Sequence, residues 1–339
     1  MQLIKWAFIV LIMVLAGLCF IPGTYVVLPF KERVNTQYWE LSTGSRIGYT
    51  KIEGAVEEKR NPVIYLHGGP GGMIKDKAIE ALKPLASLGF ELYFYDQIGS
   101  GHSKRLDNIA EYSVVRHLLD LEEIIKTIGA EKVILIAHSW GTMLAMQYAQ
   151  KHPSKLEKMV FDGPGPLLPI NRSLINDVPP DSLHLREPAF SNKDGNNKAY
   201  NLRSKLILKW AYLFHKKLAS DKESDNFFTH LNEALSRSTS CDGQETSRFE
   251  GGGGYYAHIM TLKSFDAVPD EKELIKNIQI PVLIIRGQCD NQKWGFTKEY
   301  LDLLPNAKLA ILENSGHELL DDHKEQYIQL VREFLDFAD

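Results

Sequence analysis

One stretch, residues 132–152 (KVILIAHSWGTMLAMQYAQKH), constrains the fold of this chain most strongly. Val133 to Ala137 is a short apolar run with β-branched residues, which is typical of a strand buried on both faces. After Gly141 the apolar residues recur at helical spacing until Pro153 ends the pattern. A sharp turn from strand to helix exposes the intervening Ser139 at the carboxyl edge of a sheet, where the free N–H groups of a helix N-terminus favour an oxyanion. We therefore predict that Ser139 is a nucleophile.

Short apolar strands alternate with amphipathic helices on both sides of this stretch, and one such helix is predicted from Val114 to Ile128, with Ser113 as its cap and Gly129 at its end. This alternation predicts a mostly parallel, doubly wound α/β sheet. Between Gly163 and about Val268 the alternation stops. A polar stretch without a helical pattern, residues 168–197, is followed by helical patterns near 203–219 and 227–235, and these predict an inserted helical cap. The predicted segments are an N-terminal membrane anchor or signal segment at 1–30, a first core part at 31–162, the cap at 163–268 and a second core part at 269–339.

The N-terminal segment is apolar enough to enter a membrane. Trp6 to Ile21 carries no charge, and a second apolar run follows from Tyr25 to Phe30. A membrane-spanning helix needs about 20 apolar residues, and this segment supplies them only if it continues past Pro22. No convincing cleavage site is present, so we predict an uncleaved, single-pass anchor. A cleaved signal peptide, which would leave a secreted or periplasmic protein, stays open as the alternative. Lys5 on one side opposes Lys31 and Arg33 on the other, so the side that holds the catalytic domain is not decided.

Charge and cysteine content exclude several classes of protein. The formal net charge is −4, the pI is near 6.3 and no basic block occurs, which argues against nucleic-acid binding. Cys19, Cys241 and Cys289 show no metal-ligand spacing. A bridge between Cys241 and Cys289 is an alternative, but we favour small buried thiols. No metal or organic cofactor is implied, and the oligomeric state is left open.

A glycine-rich motif, HGGPGG at residues 67–72, directly follows the third predicted strand. Glycines let the backbone turn and point its N–H groups inward, as one half of an oxyanion hole requires. We predict the amides of Gly69 and Trp140 as the two donors, because Trp140 follows the nucleophile. A tight turn that only ends a buried strand is the alternative. His67 is expected to brace the loop.

A catalytic serine needs a base and an acid, which in this type of fold follow it in the order acid, then histidine. His317 ends the segment ENSGH just beyond the last predicted strand, so we predict it as the general base. His138 is adjacent to the nucleophile in sequence, so its side chain is expected to point elsewhere. Asp290 follows a strand in RGQCD and would hold the imidazole in the required tautomer. Asp162, at the end of an earlier strand, is the rival acid. Asp96 precedes Ser139 in the chain and is given a structural role.

These motifs together resemble the prolyl aminopeptidase (proline iminopeptidase) family of α/β-hydrolase serine peptidases. The strings that carry the resemblance are HGGPGG (67–72), DQIGSGHS (96–103), HSWGTMLA (138–145), GQCDN (287–291) and NSGH (314–317). The resemblance covers residues 38–337 and implies an α/β-hydrolase fold. It also implies release of an N-terminal residue, often proline, from short peptides through an acyl-enzyme.

The resemblance also points to a substrate-binding residue. In the family, acidic residues of the cap bind the free amine of the substrate. Glu250, in RFE ahead of Tyr255 and Tyr256, is similar to one such segment, and its alternative is a solvated loop charge. The chain departs from the family where Ile98 replaces an arginine and where no acid follows Trp210.

The sequence thus predicts a serine hydrolase that forms an acyl-enzyme, with a small peptide or ester as substrate. Aminopeptidase activity is preferred. The alternatives are a membrane-associated carboxylesterase or lipase, and a non-catalytic member of the fold that binds a small ligand. Epoxide hydrolases and dehalogenases are excluded because they need aspartate where this chain has Ser139.

Overall fold

The computed structural model describes residues 20–56, 60–243 and 248–336, together with residues 5, 6, 10, 13 and 17. Within them lies an eight-stranded sheet of order β1-β2-β4-β3-β5-β6-β7-β8, in which β1 and β2 form an antiparallel edge and the other strands are parallel. The strands are β1 Gln37–Glu40, β2 Arg46–Ile52, β3 Val63–Leu66, β4 Leu92–Tyr95, β5 Val133–His138, β6 Leu156–Asp162, β7 Val282–Gly287 and β8 Ala307–Leu312. The prediction of a mostly parallel α/β sheet is confirmed.

Helices cover the sheet and build the cap. The core helices are α1 Asp76–Leu82, α2 Val114–Ile128, α3 Trp140–Lys151, α8 Trp294–Leu303, α9 Leu319–Asp322 and α10 Lys324–Asp336. The cap helices are α4 Asn192–Ala199, α5 Leu202–Phe214, α6 Asp221–Leu235 and α7 Tyr255–Lys263. Helices pack on both faces of the sheet, as a parallel sheet requires.

The central strand β5 shows why the apolar runs become buried strands. Val133, Leu135 and Ala137 pack into one hydrophobic cluster, while Ile134 and Ile136 pack into the cluster on the opposite face. Alternate side chains of a strand point to opposite faces, so a strand that is covered twice must be apolar throughout.

Local signals fix helix ends in the core. The Ser113 hydroxyl accepts the N–H of Arg116 at 3.1 Å and caps α2. Gly129 ends the same helix in the left-handed region, at φ 76°. The bounds of α2 therefore agree with those that the sequence predicts.

The cap agrees less well with the sequence. Helix α4 lies in a polar stretch for which we predicted no helix, and a capping box between Ser191 and Asp194 starts it. Helix α5 ends at Phe214 instead of near Ala219, because His215 adopts a left-handed conformation at φ 53°. Short polar helices depend on their caps more than on apolar periodicity, which explains the difference.

The chain that precedes β1 lies on the cap. We call residues 22–36 the strap. The Leu28 N–H donates to the Phe249 carbonyl at 3.3 Å, and the Gly251 N–H donates to the Leu28 carbonyl at 2.9 Å. Arg33 forms an ion pair with the buried Asp96 at 3.1 Å. The second apolar run of the predicted anchor, Tyr25 to Phe30, is therefore extended and in contact with the folded domain.

The remainder of the predicted anchor falls largely outside the described residues. Among the residues that are described, no helix is both long and apolar enough to cross a bilayer.

A disulfide links the cap to the core. Cys241 and Cys289 are bonded, with their Cα atoms 5.1 Å apart. Our preference for free thiols at these two positions was wrong. The cap folds back onto the loop after β7, and this brings together two cysteines that are 48 residues apart in sequence.

Candidate active site

Ser139 occupies the turn between β5 and α3. Its backbone is held at φ 51° and ψ −116°, a conformation that non-glycine residues rarely adopt. The Ser139 N–H donates to the carbonyl of Asp162 at 2.9 Å. A Cβ at Gly141 would lie 2.2 Å from the carbonyl oxygen of Leu66, so only glycine fits this position. The local backbone is the strained elbow expected for an exposed nucleophile.

The glycine-rich loop lies directly over Ser139. A Cβ added to Gly68 would be 3.1 Å from the Ser139 Cβ and 2.8 Å from the ring of His138. Gly69 has φ 130°, which side-chain-bearing residues avoid. In the described part of the chain, neither the Gly69 amide nor the Trp140 amide has a hydrogen-bond acceptor. Both predicted donors are thus available near the nucleophile.

A buried network connects this loop to the elbow. The Gln97 N–H donates to Nε2 of His67 at 2.9 Å, and Nδ1 of His67 contacts the Gly68 carbonyl at 2.8 Å. The Trp140 indole N–H donates to the side chain of Gln97 at 2.7 Å. Burial lowers the pKa of His67, which keeps the ring neutral. His67 therefore braces the loop.

His317 and Asp290 form a close pair. Nδ1 of His317 donates to Oδ1 of Asp290 at 2.8 Å, and the same oxygen accepts the Gln292 N–H at 2.8 Å. Burial opposes ionisation of Asp290, but His317 and the nearby Arg286 guanidinium lower its pKa. With the Nδ1 proton directed to Asp290, His317 presents the lone pair of Nε2, as a general base requires.

Asp162, the rival acid, faces a different histidine. Its carboxylate lies 3.5 Å from Nδ1 of His138, whose Nε2 lies 3.6 Å from Glu318. Burial opposes the positive charge, but Asp162 and Glu318 raise the pKa of His138 to about 10. The ring centroid of His138 is only 5.0 Å from that of His317. The two carboxylates therefore favour the protonated form of a histidine that stands beside the proposed base.

Sequence reasoning missed the positions or roles of four side chains in this region. We expected the His138 side chain to point away, and we gave no role to Glu318 or to Lys75, whose ammonium lies 3.0 Å from the Glu318 carboxylate. We also overlooked Arg286, whose guanidinium is buried beside Asp290. A basic residue within the apolar run VLIIRG was the available signal for Arg286.

Several of the candidate residues line one cleft of about 750 Å³ between core and cap. Ser139, His317 and Glu250 all line it, and so do Phe30 and Arg33 of the strap. One carboxylate oxygen of Glu250 accepts the backbone N–H of Lys31. The strap thus forms part of the wall of the cleft and holds the predicted substrate-binding residue.

Comparison with known proteins agrees with this architecture. Residues 61–324 match the alpha/beta hydrolase fold family. The chain is 27% identical over 297 residues to a proline iminopeptidase of Saccharolobus solfataricus, covering 85% of this chain and 88% of that protein. It is 25% identical to a proline iminopeptidase of Heyndrickxia coagulans, with 86% and 96% covered.

Solved structures show the same fold. An esterase from Exiguobacterium antarcticum superposes with a TM-score of 0.58 at 16% identity, covering 88% of this chain and 99% of the esterase. The strand order, the elbow serine and the matched family agree with one another. The chain belongs to the alpha/beta hydrolase fold family and is a serine hydrolase of that fold.

Proposed function

We propose that this hydrolase acts through an acyl-enzyme. His317 takes the proton of the Ser139 hydroxyl, and the oxygen attacks the carbonyl of the substrate. The amides of Gly69 and Trp140 bind the oxyanion, and His317 returns the proton to the leaving group. Water then hydrolyses the acyl-enzyme with His317 again as base. The hydrogen bond between His317 and Asp290 at 2.8 Å, in the same cleft as the strained Ser139, is the observation that carries this proposal.

The substrate that we propose is a short peptide with a free N-terminal residue, proline by preference. The curated relatives quoted above are named for this activity and match along most of the chain. Glu250 lines the cleft, and a carboxylate that accepts one N–H retains acceptor positions for an ammonium group. Such a contact would select substrates whose first residue carries a free amine.

An ester is the second candidate substrate, and one observation favours it. The two glutamates of the cleft already have partners, since Glu250 accepts the Lys31 N–H and Glu318 pairs with Lys75. A neutral ester would need no carboxylate for recognition, whereas an amine substrate must share Glu250 with the strap.

For localisation we propose an N-terminal membrane anchor formed by residues 1–21. The uncharged part, residues 6–21, would extend about 24 Å as a helix, so the span reaches the roughly 30 Å hydrocarbon core of a bilayer only with the flanking residues 1–5 included. The disulfide between Cys241 and Cys289 supports a catalytic domain in an oxidising compartment, where such bonds persist. Sequencing the N-terminus of the protein from the membrane and soluble fractions tests this, because a soluble protein that lacks the N-terminal segment would indicate a cleaved signal peptide instead.

The activity test uses full-length protein in detergent. The substrates are a proline arylamide, its N-acetylated form and a p-nitrophenyl ester, with Ser139→Ala and Glu250→Gln as variants. Cleavage of the free-amine arylamide alone supports an aminopeptidase, and then Glu250→Gln should raise KM for it. Cleavage of only the ester would replace the peptidase assignment by the esterase. Activity that survives Ser139→Ala would overturn the mechanism.

A further inference from the structure

The cap helix α5 exposes apolar side chains to solvent. Ser204, Ile207 and Ala211 form its buried side. The opposite side carries Leu202 and Leu213, which are 68% and 74% exposed. A helix on the surface of a domain normally presents polar residues there. An apolar side that faces outward indicates a surface that is covered by something else.

Aromatic residues extend this outer surface. The rings of Trp210 and Phe214 lie 4.5 Å apart by their centroids, and Phe214 is 54% exposed. Tryptophan, phenylalanine and leucine on one side of a helix are the residues that enter the boundary between headgroups and acyl chains of a bilayer. We call Leu202, Leu206, Trp210, Leu213 and Phe214 the outer surface of α5.

Lysines border the outer surface, while the acidic residues near α5 are paired elsewhere, Glu223 with Arg203 and Asp221 with Lys217. From Tyr200 to Ser220 the chain contains five lysines and arginines and no acidic residue, although the whole protein has a net charge of −4. Lys205, Lys209 and Lys216 are exposed, and in the described part of the chain none of their ammonium groups has a carboxylate partner. Lysines beside apolar residues suit a surface that carries phosphate groups.

The strap connects the outer surface to the apolar N-terminus. The Gly23 N–H donates to the Glu223 carboxylate at 2.8 Å, and Arg203 in the first turn of α5 binds the same carboxylate at 2.8 Å. The Asn201 amide, just before α5, donates to the Tyr25 hydroxyl at 3.1 Å. The chain thus leaves the domain beside α5, through Ile21, which is itself exposed.

We propose that the outer surface of α5 binds the headgroup region of an anionic lipid bilayer. Its leucines and aromatic rings enter the interface, while Lys205 and Lys209 contact lipid phosphates. A second copy of the chain is a poorer occupant, because a symmetric contact would place the same lysines against one another. This surface is separate from the catalytic cleft, so the proposal does not depend on which substrate is cleaved.

The test places an environment-sensitive fluorophore on α5 in the full-length chain. Leu213→Cys is labelled in a Cys19→Ser background, with Val115→Cys, an exposed residue of α2, as the matched position. The protein is mixed with vesicles of phosphatidylglycerol that contain brominated acyl chains. We expect quenching of about half of the emission or more at position 213. We expect at least about twofold less quenching at position 115, because that helix packs on the core sheet.

Charge variants of α5 and vesicles of different lipid charge test whether anionic lipid covers the outer surface of α5. Lys205→Glu with Lys209→Glu, or neutral phosphatidylcholine vesicles, should reduce the quenching at position 213 by at least about half. The proposal is overturned if no quenching occurs at position 213, or if the quenching is the same with anionic and neutral vesicles. A blue shift that appears without lipid and rises with protein concentration also overturns it, because a second copy would then cover the surface.

Discussion

Two histidine–carboxylate pairs flank the elbow serine, and they differ in what each nitrogen meets. In the first pair, Nδ1 of His317 is hydrogen-bonded to Asp290 at 2.8 Å. In the second, both ring nitrogens of His138 face carboxylates, at 3.5 Å from Asp162 and 3.6 Å from Glu318. His317 therefore has one ring nitrogen that can accept a proton from Ser139, whereas both ring nitrogens of His138 are directed at carboxylates.

This difference separates a base from a fixed charge. A general base needs an unprotonated nitrogen near the operating pH and an acid that holds the other nitrogen. His317 and Asp290 meet the geometric requirement. Asp162 and Glu318 raise the pKa of His138 against the effect of burial, so its protonated form is favoured and the ring is poorly suited to accept a proton. Proximity to Ser139 is therefore a poor guide to the catalytic histidine.

Replacing His317 or His138 by glutamine should give the largest difference in kcat between two matched variants. His317→Gln should lower kcat by about 10⁴-fold or more, because it removes the base while keeping a similar volume. His138→Gln should lower kcat by less than about tenfold, since it removes only a neighbouring charge. Ester or arylamide hydrolysis under saturating substrate measures both. Equal losses in the two variants would contradict the distinction between base and fixed charge.

Replacing Asp290 or Asp162 by asparagine should give the next largest difference in kcat. Asp290→Asn should reduce kcat by about 10⁴-fold, because an amide would favour the wrong tautomer of His317. Asp162→Asn should cost no more than about tenfold, since Asp162 contacts His138 and not the proposed base. The same assay applies, with circular dichroism as a control for folding. A larger loss for Asp162→Asn would make Asp162 the catalytic acid.

The pH dependence of stability tests the charge on His138. Its folded-state pKa is raised from 6.5 to about 10, so the stabilisation is fully present below pH 6.5 and is lost as the pH rises through 10. The free energy of unfolding should exceed that of His138→Gln by up to a few kcal/mol near pH 6, and the excess should shrink towards pH 10. Urea unfolding at several pH values measures it.

A second histidine serves as the control for this experiment. His152 lies 3.6 Å from Glu122, but both side chains are substantially exposed to solvent. Ion pairs at the surface contribute little, so His152→Gln should change stability only slightly at every pH. If the difference in free energy of unfolding between the wild type and His138→Gln does not vary with pH, the His138 ring is neutral in the folded protein.

The sequence predicts well what depends on local pattern. The apolar run Val133 to Ala137 forms the central strand, and Ser113 and Gly129 mark both ends of α2. The structure brings Asp290 and His317 together as their positions after strands predicted, although their catalytic roles stay a prediction until they are assayed. Parallel strands end at one edge of a sheet, so sequence order alone places such residues near each other.

Contacts between distant segments could not be predicted in this way. The strap meets the cap through Leu28 and Phe249, and Arg33 reaches Asp96, yet no local pattern links these positions. The pairing of His138 with Glu318 depends on how the loop after β8 meets the end of β5. Spacing and periodicity carry no information about such long-range encounters, which arise from the packing of the whole domain.

Loss of the disulfide should have only a small effect on catalysis. The two histidine–carboxylate pairs also differ in their position, since one lies on strands and the other lies in loops beside the disulfide. His138 and Asp162 end adjacent strands and are register partners, whereas Asp290 lies in a loop next to the bonded Cys289. The His317 N–H donates to the carbonyl of Thr239 in the cap at 2.8 Å, so the cap holds the base as well as the acid.

Replacing Cys241 and Cys289 together by serine should lower the free energy of unfolding by about 2–4 kcal/mol, because the unfolded chain loses a cross-link. The hydrogen bonds to Asp290 and His317 remain, so kcat/KM should fall by less than about tenfold. Reducing agent should reproduce both changes in the wild type and in Cys19→Ser, which keeps the bridge, but not in the double variant. A loss as large as that of Asp290→Asn would mean that the cross-link itself positions the acid, and the first pair would then depend on the cap rather than on the core.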